Sequence, residues 1–390
     1  MLGSAGSTFR NPVEATRTAA ASTGLGLFTL GSRIEVLEKI DAPAIVLVVA
    51  EDNNLCFHYE ELHRSLGRML SETCASEHTF CESFFGDAGG NMFDILFKGV
   101  VDLLVDAVTA HAASSNDMIG ILLALKVNEA QRTSMQHRNI FDLSDYFIRV
   151  DIALKPKFKR LFDANINSLA TAKQNLESVF PGVGNTKPIS VTRRFAELSS
   201  AVLSIAFYGA SDDAILEGLR RFRTSFNSLL MAVSAMYKDE KSRYVFLVNN
   251  VDLVMTVYAT HGAEGTTDAR FFNELQVGYT AAYVEQEVSD HFPDFVAFVR
   301  AYDRRLRNMR SGGISTGSAS YTSETHLRAV LREFASNWHL VAEHMRENVL
   351  RAFPNYRTGN EILRALFARL FSYHRQCEAA VDTHYPCVEE

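Results

Sequence analysis

The chain has 390 residues, 47% of them hydrophobic, which is ample for a packed core, and at about 150 residues per domain two or three domains would fit. With 39 basic against 46 acidic residues, the formal net charge is -7, so the basic balance by which nucleic-acid binders neutralise phosphates is missing. Five cysteines (Cys56, Cys74, Cys81, Cys377, Cys387) form no CxxC pair and are odd in number, which argues against a zinc site and a disulfide framework and fits a reducing compartment.

The start, MLGSAGSTFR NPVEATRTAA, lacks the apolar core of an export signal. Residues 1–23, rich in small and polar side chains, read as a disordered leader. From Gly24 to Glu51 the pattern reads as extended, with Pro43 and the β-branched run Ile45, Val46, Val48 and Val49 suggesting one strand or a tucked segment. The longest strongly apolar run, Ala44 to Ala50, is far short of the about 20 residues needed to span a bilayer.

Helical period then takes over. Leu62, Leu66, Met69, Leu70, Thr73, Cys74, Phe80, Cys81 and Phe84 recur at steps of three and four and predict one apolar stripe. Gly86, Gly89 and Gly90 should end that helix, and Asn91 should cap the next, in which Phe93, Leu96, Phe97, Val100, Leu104, Ala107 and Val108 repeat the spacing. A third helix is expected from about Asn116 through Ile121, Leu122, Leu125 and Val127, and a fourth from near Asp142 to about Ala172, kinked or split at Pro156. Residues 178–190 (SVFPGVGNTKPIS) form the best bundle-to-bundle joint. Beyond it, helices are predicted over about 191–208, 212–237 (capped by Ser211), 240–260, 267–291, 293–309, 323–352 and 359–382. Residues 311–320 (SGGISTGSAS) read as a flexible loop. Long helices with short connections predict an all-α chain of helical bundles stacked end to end in an elongated rod, with a short extended segment near the N-terminus. The expected domains are 24–180 and 181–390, after the leader.

Motifs for chemistry are weak. His58 and His63 in HYEELH, like His339 and His344, stand five apart, whereas two zinc ligands on one helical face need a spacing of four. GVGNTK (182–187) leads into Pro188 rather than a helix and reads as linker, and GLGLFTLG (24–31) lacks the spacing and frame of a dinucleotide loop. Cys74 and Cys81 lie on an apolar stripe and read as core filler. No catalytic residue, cofactor or metal site is expected. One charge cluster is less ordinary. Arg300, Arg304, Arg305, Arg307 and Arg310 crowd the end of the helix opened by Pro293. They read first as a solvated face favoured by the helix dipole, and second as a contact for an acidic partner or anionic surface.

Four blocks in fixed order, VTRRFAELSSAVLSI (191–205), YVFLVNNVDLVM (244–255), FPDFVAFVR (292–300) and the stretch 331–374 with its FPNYRTG joint, resemble the vacuolar protein sorting-associated protein 52 family of the Golgi-associated retrograde protein (GARP) complex. GLFTLGSR, DAPAIVLV and EELHRSLGRML in the first quarter echo it more loosely. The family's N-terminal coiled-coil region is not recognised here, so the sequence is expected to be either a fragment or a short, divergent subunit. The matching positions include Arg193, Arg194, Glu197, Asn249, Asn250, Asp252, Trp338, Asn355, Arg357, Gly359 and His374, and most of the blocks read as features that hold a bundle together. A buried Asn249 or Asn250 would need a hydrogen-bond partner in a neighbouring helix or joint, and Gly359 is expected to permit a tight turn between the last two helices.

The resemblance implies a CATCHR-type subunit of a vesicle tether and no enzyme. It would be cytoplasmic and peripheral on trans-Golgi network and endosomal membranes. Its partners in endosome-to-Golgi retrograde transport would be sister subunits, a Golgi small GTPase of the Rab class and SNARE proteins. Alternatives are a related helical-rod tether such as an exocyst subunit, and, from another class, an unrecognised hydrolase.

Overall fold

The computed structural model describes residues 28–46, 57–86, 89–181, 184–209, 212–310 and 324–384. Every regular element among them is helical: the protein is all-α. A 3-10 turn at Gly31–Ile34 leads into the short α1 (Glu35–Glu38). The long helices follow: α2 (Tyr59–Phe85), α3 (Gly89–Ser114), α4 (Met118–His137) and α5 (Ser144–Gln174), then the short α6 (Leu176–Val179). After it come α7 (Ser190–Ala206), α8 (Asp213–Ser234), α9 (Glu240–Thr260), α10 (Thr267–His291), α11 (Pro293–Arg310), α12 (Glu324–Ala352) and α13 (Tyr356–His384). The leader 1–23 and the loop 311–320 lie outside the described residues.

Several local expectations are corrected. The segment read as extended is helical over residues 31–38, because Leu30, Ile34 and Leu37 fall at helical steps and Val36 and Leu37 are buried. Ile45 donates its N–H to Ser65 Oγ at 2.7 Å rather than to a strand, and residues 47–51 of the run lie outside the described set. Helix α2 ends at Gly86, whose φ of 54° suits the residue. Helix α3 starts at Gly89, so Asn91 sits inside it instead of capping it. Pro156 does not split α5. The carbonyl it leaves without a donor belongs to Ile152, which is exposed, so water can satisfy it. Asp212 caps α8, accepting from the N–H groups of Ala214 and Ile215 at 2.9 and 3.4 Å; Ser211 lies outside the described residues.

The chain divides into two compact units. Of the described residues, the first holds those up to Gln174 with those of Ser190–Leu229 and Val257–Gly265; the second holds those of Asn175–Ile189, Leu230–Thr256 and from Thr266 on. In the first, α2 and α5 each pack against both α3 and α4, closing a four-helix arrangement, and α7 packs on α4. Ile119, Ile121, Leu123, Ala124 and Val127 of α4 are fully buried in it, and Phe195 stacks on Phe226 at 3.9 Å. In the second, α13 packs against α10, α11 and α12, around Tyr283, Val288, Val296, Met345, Ile362 and Leu366.

Helix α2 buries an unexpected face. Leu70, Cys74 and Cys81 of the predicted stripe point inward, but Leu66, Met69, Phe80 and Phe84 are exposed. Glu60, His63, Arg64, Gly67 and Ser71 take their place inside. Each polar group there with a partner offsets its desolvation. Glu60 receives Arg33, which also reaches Asp117 Oδ2 at 2.6 Å. Arg64 donates to the carbonyls of Ala42 and Pro43 at 2.7 and 3.3 Å. Gly67 leaves room for Gln131, whose Nε2 donates to Arg64 O at 2.9 Å; a Cβ at Gly67 would lie 2.1 Å from Gln131 Oε1. Helix α3 likewise buries Phe97 and Val108 but leaves Leu96 and Val100 exposed.

Candidate functional site

Two polar constellations stand out in the second unit. In the first, blocks that are distant in sequence meet. Asn249, buried on α9, donates through Nδ2 to the carbonyls of Thr186 and Ala352, both at 3.0 Å. Asn250, fully buried, donates to Phe246 O at 2.8 Å and accepts from the N–H of Ile189 at 3.1 Å. Two residues on, the Asp252 carboxylate accepts from Asn355 Nδ2 at 3.1 and 2.9 Å and from Thr358 Oγ1 at 2.5 Å. Asn249, Asn250 and Asp252 thus satisfy backbone groups of the 184–189 connection and fix the joint between α12 and α13. Mediocre helix formers are kept in α9 for what their side chains bind.

Asn355 also caps α13, accepting from the N–H of Arg357 at 3.1 Å. Gly359 does not form the turn expected of it. It lies in the first turn of α13, its N–H bonded to Asn355 O at 2.8 Å, and a Cβ there would meet only Phe353 O at 3.7 Å. The Asn355 cap and the preceding Phe353–Pro354 make the turn instead.

The other matching positions are structural or solvated. In the first unit Glu197 accepts or shares a proton with His261 Nε2 at 3.0 Å and lies 3.8 Å from the exposed Arg193, while Arg194 sits 6.0 Å from the Phe28 ring. In the second unit Trp338 lies against His339, ring centroids 3.5 Å apart. Arg357 and His374 pair along α13 with Glu361 at 3.2 Å and Glu378 at 3.4 Å.

The second constellation is a recess of about 460 Å³ between the end of α11 and the middle of α13, lined by Arg300, Asp303, Arg304, Arg307, Arg369, Tyr373 and Gln376. Glu285 of α10 organises one side of it. Its carboxylate takes Arg300 Nη2 at 2.5 Å, Arg369 Nε at 2.7 Å and the Tyr373 hydroxyl. Burial pushes the Glu285 carboxyl up, but the hydrogen bonds from Arg369, Tyr373 and Arg300 outweigh it and hold it down at about 2. The Arg369 guanidinium also lies 4.4 Å from the centroid of the Tyr373 ring. Arg304 and Arg307, one turn apart and exposed, have no ion pair among the described residues. The side chains of Arg305 and Arg310 lie outside the described set.

The sequence therefore found three arginines of this recess and missed Arg369, Tyr373, Gln376 and Glu285. Nothing in the local pattern of α13 links them to a helix some 60 positions earlier. Guanidinium groups in this arrangement can bind carboxylate or phosphate oxygens; they supply no nucleophile or base.

Of the histidines and cysteines weighed for chemistry, His63, Cys74 and Cys81 are packed away, His58 is half-buried, and His339 and His344 are exposed. His63 is buried, with its value pushed down to about 4 by burial and then by the charge of His111. Burial, with the Asp142 charge second, pushes the Cys74 thiol up to about 12, away from nucleophilic thiolate. Among the described residues no group of three or more His, Cys, Asp or Glu side chains is placed to hold a metal ion, and no helix is long and apolar enough to cross a membrane.

Comparison with known proteins places these features. The family described as "Vps52, C-terminal" matches residues 14–284. Vacuolar protein sorting-associated protein 52 A of Arabidopsis thaliana is 29% identical over 349 residues, 89% of this chain and 47% of the relative. The Homo sapiens vacuolar protein sorting-associated protein 52 homolog is 26% identical over 356 residues, 90% of this chain and 48% of the relative. The Saccharomyces cerevisiae protein is 23% identical over 249 residues, 57% of this chain and 39% of the relative. The chain spans about half the length of the first two. No solved structure matches it.

Proposed function

The chain belongs to the Vps52 C-terminal family, and on that premise we propose that it is a non-enzymatic subunit of a vesicle-tethering complex of the GARP type. It acts in retrograde transport from endosomes to the trans-Golgi network, binding sister subunits, a small GTPase of the Rab class and SNARE proteins. It is held at those membranes peripherally, through its partners. The observation that carries the reading is the family match across residues 14–284, extended by relatives that align over about nine-tenths of the chain. The geometry agrees in kind. The buried Asn249 and Asn250 and the half-buried Asp252 hold helices in place. Long helices present extended surfaces for adhesion, at 1.5 Å of rise per residue.

Work by such a subunit is binding and positioning, so its loss should alter traffic and leave metabolite turnover unchanged. Depleting the protein from its source cell should leave a receptor that cycles between endosomes and the Golgi stranded in small endosome-derived carriers, with secretion to the surface intact. Normal return of that receptor, or a block in fusion at the plasma membrane instead, would refute the reading.

A further inference from the structure

Four arginines face one recess, and the acids beside them do not balance the charge. Arg300 and Arg369 share Glu285, and among the described residues Asp303 is the one other carboxylate at the recess. Two positive charges are left over, carried at the rim by Arg304 and Arg307. Like charges on neighbouring turns repel, so the arrangement is costly unless an anion joins it. The half of the site around Glu285 is prearranged: its hydrogen bonds fix Arg369, Arg300 and Tyr373 before any ligand arrives.

We propose that this recess between α11 and α13 binds a phosphate monoester carried on a protein partner, a phosphorylated serine or threonine side chain. A phosphorylated side chain carries roughly -1.5 to -2 charge near neutral pH with three acceptor oxygens, which matches the two unbalanced arginines and the forked geometry of guanidinium donors. Gln376 and the outer guanidinium groups supply further donors. A bilayer surface fits less well. Membrane-seated patches combine basic residues with apolar side chains that insert, and among the described residues no aliphatic side chain lines this recess. The chain as a whole is acidic, at -7, so an anionic membrane would repel the remainder of the protein. The inference stands on the recess itself and does not require the tethering reading to hold.

The test uses the full chain immobilised at physiological salt. It is presented with a phosphoserine peptide pool of randomised flanks, the same pool unphosphorylated, and phosphatidylcholine vesicles with or without phosphatidylinositol 4-phosphate. The expected result is retention of the phosphorylated pool by at least about tenfold over its counterpart, lost by about tenfold in the R304E/R307E variant. Both side chains are exposed, so thermal melting should not move; should it move, the single variants Arg304→Gln and Arg307→Gln provide the same comparison at smaller amplitude. Equal retention of both pools, retention insensitive to these substitutions, or capture of the phosphoinositide vesicles without the phosphopeptides would overturn the proposal.

Discussion

Both units bury carboxylates paired with cations, but they differ in which helical face they bury. In the first, α2 turns Glu60, His63, Arg64 and Ser71 inward and leaves Leu66, Met69 and Phe84 outside. In the second, α10 to α13 close an apolar cluster of Val284, Val288, Ile362 and Leu366, and the carboxylates within or beside it are matched by cations, Glu287 by Lys241 and Glu285 by Arg369. The difference is instructive because both regions show the same three-and-four spacing of apolar residues. Period identifies a helix; it identifies the buried face only where no paired polar network competes for the interior. In α2 such a network wins, since Arg33 reaches Glu60 across 27 positions and Gln131 reaches past Gly67.

The largest expected effect tests that network. Glu60→Ala would leave Arg33 buried with Asp117 alone and should cost about 3–5 kcal/mol in denaturant unfolding of the first unit; a cost below about 1 kcal/mol would mean the polar face is not the buried one. Ile362→Ala, in the apolar cluster of the second unit, should cost about 2–5 kcal/mol and shift hydrogen-exchange protection of α13.

Acid should separate the units. His63 is held down to about 4 against an ordinary value of 6.5. Its neutral form is the folded one, so its contribution is complete above 6.5 and is lost as pH falls from there to about 4. Burial acts to raise the Glu287 carboxyl, but hydrogen bonds from His291, Lys241 and Asn348 hold it down at about 2 against an ordinary 4.5. Its contribution is therefore present above 4.5 and lost as pH falls towards 2. Hydrogen exchange in α2 should accelerate at higher pH than exchange in α10, and His63→Leu should flatten the upper window only. Simultaneous loss of protection in both helices, with no effect of the substitution, would erase the distinction.

The smallest effect is the sharpest control. Phe84 is 70% exposed although it sits on the predicted stripe, so Phe84→Ala should change stability by no more than about 0.5 kcal/mol. A core-sized loss would restore the apolar stripe as the packed face.

Helix order from Ser190 to His384 was legible because each element there is bounded by local chemistry: Pro293 opens α11, and Pro354 with Asn355 separates α12 from α13. The need of Asn249 and Asn250 for partners was legible too, since an unpaired buried amide is costly, although the sequence could not name Thr186, Ala352 and Ile189 as those partners. Residues 31–38 were misread because a β-branched run downstream outweighed a short helical spacing, and Gly359 because a glycine near a helix start looks like a turn residue from composition alone. The arginine recess was half visible. Arg300, Arg304 and Arg307 share one helix, whereas Arg369 and Tyr373 join them only through tertiary packing and Glu285.

If this protein works by adhesion as part of a tether, its company in the cell is its function. The most direct measurement is quantitative mass spectrometry of everything that co-purifies with the tagged full chain from its source cell under gentle salt. Sister subunits of one Golgi-associated tether in near-equal amounts are the predicted outcome; recovery of the chain alone, or with the subunits of a plasma-membrane tether, would contradict it.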